Sequence, residues 1–237
     1  MKFTPVSSSL AAALLLPAAA FAEEPAGWTF ETTLYGLAAG MSGEVAVKGI
    51  SADIDMGFDD VLEQLEFGAM GAFRIGYNRW SLTTDVIFMA LGASKGAFNV
   101  EMDQWVVEPA IGYRLCRYFE PLVGFRYNNL SGEIHGPAGP NPTGTQDWIE
   151  PFVGGNVTVP LTRCVGFHVR GDAGGFGAGA ELTWQVFPYV NWHISDHWSL
   201  QAGYRWVQTH YEAGSGRDFF KYDVLSQGPQ AGFTYAF

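Results

Sequence analysis

The segment Pro229-Gln230-Ala231-Gly232-Phe233-Thr234-Tyr235-Ala236-Phe237 decides the reading of this chain. From Ala231 onward the odd positions are apolar or aromatic, and the even ones (Gln230, Gly232, Thr234, Ala236) are small or polar. A strand has period two, so this segment carries one apolar and one small, polar face. Many segments like it precede it. A closing strand whose apolar face meets lipid explains the set better than an ordinary edge strand over a soluble core.

Working outward, residues 1–22 read as a cleaved secretory signal. Lys2 supplies the positive start, Leu10 to Ala20 an apolar stretch, and Ala20-Phe21-Ala22 a small-x-small cleavage site. The apolar stretch is too short and too rich in alanine for a comfortable spanning helix. Residues 23–237 then form the mature domain. Across the 237 residues, 48% are apolar, 15% aromatic and only 16% charged, with 30 glycines. No later stretch holds the roughly 20 apolar residues of a membrane helix, yet this composition suits strands with apolar and polar faces in alternation. Without residues 1–22, 12 basic residues face 24 acidic ones, a net charge of −12, which argues against a nucleic-acid partner.

Ten alternating segments are expected, near 28–40, 66–77, 80–92, 103–114, 119–130, 147–159, 164–176, 181–193, 198–211 and 224–237. Each holds enough residues to cross a bilayer at a barrel's tilt. Short connections (78–79, 115–118, 160–163, 194–197) alternate with long ones (41–65, 93–102, 131–146, 212–223), save a tight turn near 177–180. The expected fold is therefore all-β: one antiparallel up-and-down transmembrane barrel of about ten strands, with short periplasmic turns and longer extracellular loops. The even count places both termini at the periplasmic side. Trp105, Trp148, Trp184 and Trp206 are expected at the outer end and Trp28, Trp80, Trp192 and Trp198 at the periplasmic end, as two aromatic girdles. Pro109, Pro151 and Pro188 each remove a ladder donor, so local bulges are expected there.

With the apolar faces outward, the charges point inward. Glu108 and Arg126, and likewise Arg114 and Glu120, have residue numbers that sum to 234, so one antiparallel register opposes both pairs. Arg74 and Asp85 sit diagonally in the first hairpin, and Glu150, His168, Arg170, Asp172 and Arg205 join the same interior. Roughly ten strands make a barrel just wider than one whose side chains fill it, so paired charges would close the lumen. A narrow solute path is the alternative.

Catalytic signals are weak. His168, Arg170 and Asp172 share one strand face, and Asp103, Asp147, Glu181, His210 and Glu212 lie toward the outer rim, but no motif ties them together. No zinc spacing, nucleophile elbow or phosphate loop appears, and no cofactor or metal is expected. In the 41–65 loop, Phe58, Val61, Leu62 and Leu65 follow helical spacing, with Asp59 or Asp60 as N-cap. That short helix would cap the mouth, lie on the outer leaflet or gate an apolar ligand. The run Asp53-x-Asp55-x-Gly57-x-Asp59 lacks the distal glutamate of a calcium loop. Cys116 and Cys164, an even pair in an oxidising compartment, are a possible disulfide, although two strands between their turns separate them by about 10 Å.

The run Gly171-Asp172-Ala173-Gly174-Gly175-Phe176-Gly177, then Thr183-Trp184-Gln185, Gly203-Tyr204-Arg205 and Gly228-Pro229 ahead of a terminal Phe, resembles the small proteobacterial outer-membrane barrels of the OmpA and OmpW type. The Gly-Ala-Phe to Trp-Ser-Leu hairpin near 71–82 extends the likeness over most of the mature chain. Phe233, Tyr235 and Phe237 resemble the terminal signature that the barrel-assembly machinery reads. The resemblance implies residence in the cell outer membrane among lipid and lipopolysaccharide, and no assigned reaction. Members usually carry polar turn residues at the two cysteine positions, so a bridge there would be a local addition. The expected function is a non-enzymatic, integral barrel with a charge-paired, closed lumen and a structural or surface-interaction role. A narrow passive transporter gated by loop 41–65, or a rim hydrolase acting on lipid A or peptides, is the alternative.

Overall fold

In the computed structural model, residues 27–47, 50–95, 98–135 and 143–237 are described; the signal segment 1–22 lies outside them. Twelve strand segments form one sheet that closes on itself. They are β1 (Trp28–Leu37), β2 (Gly40–Val47), β3 (Ile50–Met56), β4 (Leu65–Tyr77), β5 (Trp80–Lys95), β6 (Phe98–Tyr113), β7 (Phe119–His135), β8 (Thr143–Pro160), β9 (Val165–Ala178), β10 (Ala180–His193), β11 (Trp198–Ala213) and β12 (Phe220–Ala236). The helix α1 (Phe58–Gln64) joins β3 to β4. β1 and β2 lie end to end along β12, and β3 folds back on β2, so ten strands make the wall. Antiparallel pairing of β1 with β12, from Glu31↔Ala236 to Leu37↔Gln230, closes the barrel, and β3 remains an edge of the hairpin beyond it.

The period-two reading holds along the wall. Phe73, Ile75, Ile111, Val123, Phe125, Val153, Phe233 and Phe237 all face outward and are exposed. The chain's fully buried side chains include Arg126, Glu108, Glu150 and Gln185 beside Phe152 and Val224. An inside-out distribution of this kind belongs to a protein solvated by lipid, with polar groups satisfied within the wall. Among the described residues, no helix is long and apolar enough to cross a membrane.

Several expectations need correction. The 41–65 segment holds a hairpin, β2–β3, as well as a helix, and Gly57 is the helix N-cap. Asp60 instead accepts a hydrogen bond from the Gly57 N–H at 2.9 Å. The connections read as long loops at 93–102 and 131–146 are largely strand, because β5 to β8 extend well beyond the membrane-crossing length. The three prolines cause no register shift: Val107↔Tyr127 and Ala110↔Gly124 keep one register across Pro109, and Pro151↔Phe125 and Pro188↔Val169 sit inside continuous ladders. Register shifts fall at Leu65/Phe67 and Ala180/Leu182 instead. The second adjoins the tight β9–β10 turn, where Gly175, Phe176, Gly177 and Gly179 all have positive φ. A Cβ at Gly179 would stand 2.0 Å from the Ile149 carbonyl oxygen, so the glycine run serves this backbone approach.

Candidate functional site: a charge-sealed lumen with two chambers

The lumen is organised around Arg126, on the inward face of β7 and 1% exposed. Its Nε donates to Glu108 Oε1 at 2.6 Å, Nη1 to Glu150 Oε1 at 2.8 Å and Nη2 to Asp172 Oδ1 at 2.9 Å. Glu108 comes from β6, Glu150 from β8 and Asp172 from β9, so one guanidinium ties four strands. The flat fork of arginine makes this possible; an ammonium is a point donor. Phe152, fully buried, lies under the guanidinium at 5.2 Å.

A second centre adjoins the first. Arg205 on β11 donates to Gln185 Oε1 at 2.7 Å and to Asp85 Oδ2 at 3.2 Å, while Tyr35 donates to Asp85 Oδ1 at 2.6 Å. Gln185 donates in turn to Asp172 at 2.7 Å and Glu108 at 3.0 Å. Arg170 reaches Glu108 at 3.1 Å. Thr183 donates to Glu150 at 2.9 Å, which satisfies the remaining oxygen of that carboxylate. β1, β5, β6, β7, β8, β9, β10 and β11 therefore all contribute to one cross-lumen network.

The sequence-derived pairs divide. Glu108 and Arg126 oppose each other in the register read from their spacing. Arg114 does not meet Glu120, because it lies past the end of the β6–β7 ladder at the turn. Glu120 accepts two bonds from Arg74 instead, at 2.7 and 2.9 Å, and one from Ser81. Arg74 is therefore not the partner of Asp85, which Arg205 and Tyr35 hold from across the barrel. His168 is outside the network; it stacks on Tyr189 with ring centroids 4.9 Å apart and bonds Thr158. Tyr35 and Gln185 were not read as lumen residues from sequence. Their alternation on strands that carry Glu31 and Thr183 inward was the available signal.

The network divides the interior. Toward the short-turn end lies a vestibule of about 420 Å³ lined by Tyr35, Arg74, Glu120, Tyr189 and His193. Toward the long-loop end lies a smaller chamber of about 120 Å³, lined mainly by Met41, Val61, Met70, Met89, Val106 and Val224. Arg205 borders both. Val61 of α1 packs into the buried cluster of Met41, Leu91, Tyr222 and Val224, so the helix roofs the upper chamber.

Seven of the expected girdle tryptophans occupy outward positions. Trp28, Trp80, Trp192 and Trp198 are exposed around the short-turn end and Trp105 toward the other, with Trp184 and Trp206 half-buried between neighbours. Trp148 is the exception: it is buried and stacks on Tyr211 at 4.1 Å. It shares a strand face with Glu150, two residues on, so a strand that sends Glu150 inward must send Trp148 inward too. Cys116 and Cys164 are both free and exposed, each in a short turn. The strands β7 and β8 stand between those turns, a separation beyond disulfide reach. Both thiols of the folded protein are expected to react with a membrane-impermeant maleimide, giving two labels per chain by mass spectrometry; fewer than two would indicate a bridge.

On the outer face near the long-loop end, His210 Nε2 lies 3.3 Å from Glu181 and 3.7 Å from Glu212, and its Nδ1 lies 3.2 Å from Asp223. The structure thus gathers three rim residues that the sequence left scattered, and these donors converge closely enough to hold a metal ion. Asp103 and Asp147 are not part of that group, and Asp53 faces Glu44 across the β2–β3 hairpin.

No protein-family model matches the chain, and no curated protein matches it. Among solved structures, the chain is similar to the outer-membrane protease OmpT from Escherichia coli, at 7% identity, covering 91% of this chain and 99% of that one with a TM-score of 0.53. Weaker likenesses are to the translocator domain of the autotransporter NalP from Neisseria meningitidis (9% identity, 91% and 90% covered, TM-score 0.47) and to the attachment invasion locus protein Ail of Yersinia pestis (11%, 90% and 99%, 0.44). At such identities the likeness is one of fold: a closed, antiparallel, ten-stranded β-barrel of the kind found in outer membranes.

Proposed function

We propose that this chain is an integral barrel of the cell outer membrane whose lumen is sealed, and that it has a structural or surface-interaction role and no catalytic one. The observation that carries this reading is the Arg126 centre: a guanidinium 1% exposed and bonded to three carboxylates at the middle of the lumen. An ion crossing the barrel would have to break charge-assisted bonds that close on one another. The carboxylates at the middle of the lumen, Asp85, Glu108, Glu150 and Asp172, are each held by an arginine of this network, so none of them stands free as an acid or base. The secretory signal, the exposed apolar wall and the terminal Phe233, Tyr235 and Phe237 support placement in the outer membrane, after passage through the periplasm and assembly there. The β2–β3 hairpin and the extended β5–β8 strands stand beyond the wall and supply the surface for contact with lipopolysaccharide or other surface partners.

The test is reconstitution of the refolded, full-length mature chain into planar bilayers. The expected record is a flat baseline up to moderate voltages. Stable, uniform open steps would overturn the sealed reading.

A further inference from the structure

The upper chamber has three properties that a void left by imperfect packing would not combine. Its walls are mainly methionine and aliphatic side chains, with Gln104, Thr209, Tyr222 and Ser226 among them; Asn128 also lines it, and Asn128 is 4% exposed with an Nδ2 that has no hydrogen-bond partner. A buried amide left unpaired is costly, and most buried polar groups find partners. The group therefore points to an acceptor that enters from outside. The volume, about 120 Å³, falls near that of engineered apolar cavities that stay dry and take benzene, about 150 Å³.

The third property is a way in. The ladder between β1 and β4 ends at Leu34↔Gly71, although β4 continues to Leu65 along β5. Above that point β1 and β4 part: β1 runs on along β12 to Leu37, and β4 runs on along β5 to Leu65, where α1 ends. Gly68 belongs to the inward face of β4 and borders the chamber, yet it is exposed; Phe58 and Leu62, also on the lining, are 40% and 52% exposed. The seam opens beside an outward aromatic row, with Phe67 against Phe88 at 5.8 Å and Phe88 against Trp105 at 4.5 Å. Trp105 belongs to the girdle near the long-loop end, so the opening lies at the boundary between acyl chains and headgroups. A solute dissolved at that boundary has an apolar body and one polar group, which matches a chamber of mainly apolar walls with one unpaired amide donor.

From these observations we infer that the upper chamber is a binding site for a small membrane-partitioning amphiphile, one ring or a short alkyl body carrying a hydrogen-bond acceptor, which enters sideways between β1 and β4 and bonds Asn128. The site rests on the barrel standing in a membrane. It does not need the lumen to conduct, since Glu108, Arg126 and Arg205 form its floor.

The probe is 4-fluorobenzyl alcohol, followed by ¹⁹F line broadening with the full mature chain in nanodiscs and with empty nanodiscs as reference. Saturable, one-site broadening is expected above the lipid background. Asn128→Leu should weaken the alcohol about fivefold to tenfold and leave 4-fluorotoluene unchanged. Met70→Trp or Val106→Trp, each filling the chamber from a different strand, should abolish binding of both, with folding checked by migration on unheated gels. Broadening no greater than in empty nanodiscs overturns the site. So does unaltered binding in either filled variant that folds, and an alcohol affinity unmoved by Asn128→Leu overturns the role of the amide. Conductance is read separately: binding lost with a flat baseline refutes the site alone, and open steps with binding intact refute the sealed lumen alone.

Discussion

Replacing Arg126 with methionine is expected to cost about 3–5 kcal/mol of stability, measured as a lower urea midpoint for the barrel in lipid vesicles. The cost arises from what is left behind. Glu108, Glu150 and Asp172 have side chains 2%, 0% and 0% exposed, and each loses a bond of 2.9 Å or less. Arg170 and Arg205 still approach Glu108, at 3.1 and 3.8 Å, but Glu150 keeps only the Thr183 hydroxyl. Asp172 keeps Arg170 at 3.5 Å and the Gln185 amide, so Glu150 above all would have to hold charge in a dry interior or take up a proton. Arg126→Lys should fall between, because an ammonium keeps the charge without the three-way fork. Combining Arg126→Met with Glu150→Gln and Asp172→Asn should recover much of the loss, since neutral groups bear burial better than unpaired ions. If the combined variant is as unstable as Arg126→Met alone, the stabilisation comes from packing on Phe152 and not from charge.

A second large effect is expected at Gly124, opposite Ala110 on the inward face of β7. A Cβ there would lie 2.3 Å from the Pro109 carbonyl oxygen and 2.8 Å from the Phe152 ring, and neither can retreat cheaply. The first is backbone within a ladder; the second is a ring that is 0% exposed beneath Arg126. Gly124→Leu should therefore cost about 3 kcal/mol or more, and it should displace Phe152 and loosen the Arg126 centre with it. Gly144 is the control, since nothing lies within 4 Å of its would-be Cβ. Gly144→Leu should stay within about 0.5 kcal/mol of the parent. Equal destabilisation at both positions would mean that glycine acts through strand propensity and not through the space above Phe152.

Much of the wall was legible because a strand's period of two is a local property. Alternation in 103–114 and 119–130 sorted inside from outside, and the shared sum for Glu108 with Arg126 placed two strands in register from residue spacing alone. The same rule, applied consistently, would have turned Trp148 inward with Glu150. The lumen pairs beyond one hairpin were not legible. Glu120 meets Arg74 and Asp85 meets Arg205 across the barrel, between strands that are not neighbours in sequence, and nothing in a strand's alternation says which inward charges will face each other over an enclosed space.

From the sequence alone follow the class of solvent, a wall of about ten strands and the inward placement of charge, because each depends on residue type and on a repeat of two. Tertiary structure alone decided that β1 and β4 part above Leu34↔Gly71, that Val61 roofs a chamber, and that Asn128 is left facing it without a partner. Those facts depend on closure. Only when β12 meets β1 does the lumen acquire a volume, and only then is it settled which side chains fill it and which space they leave.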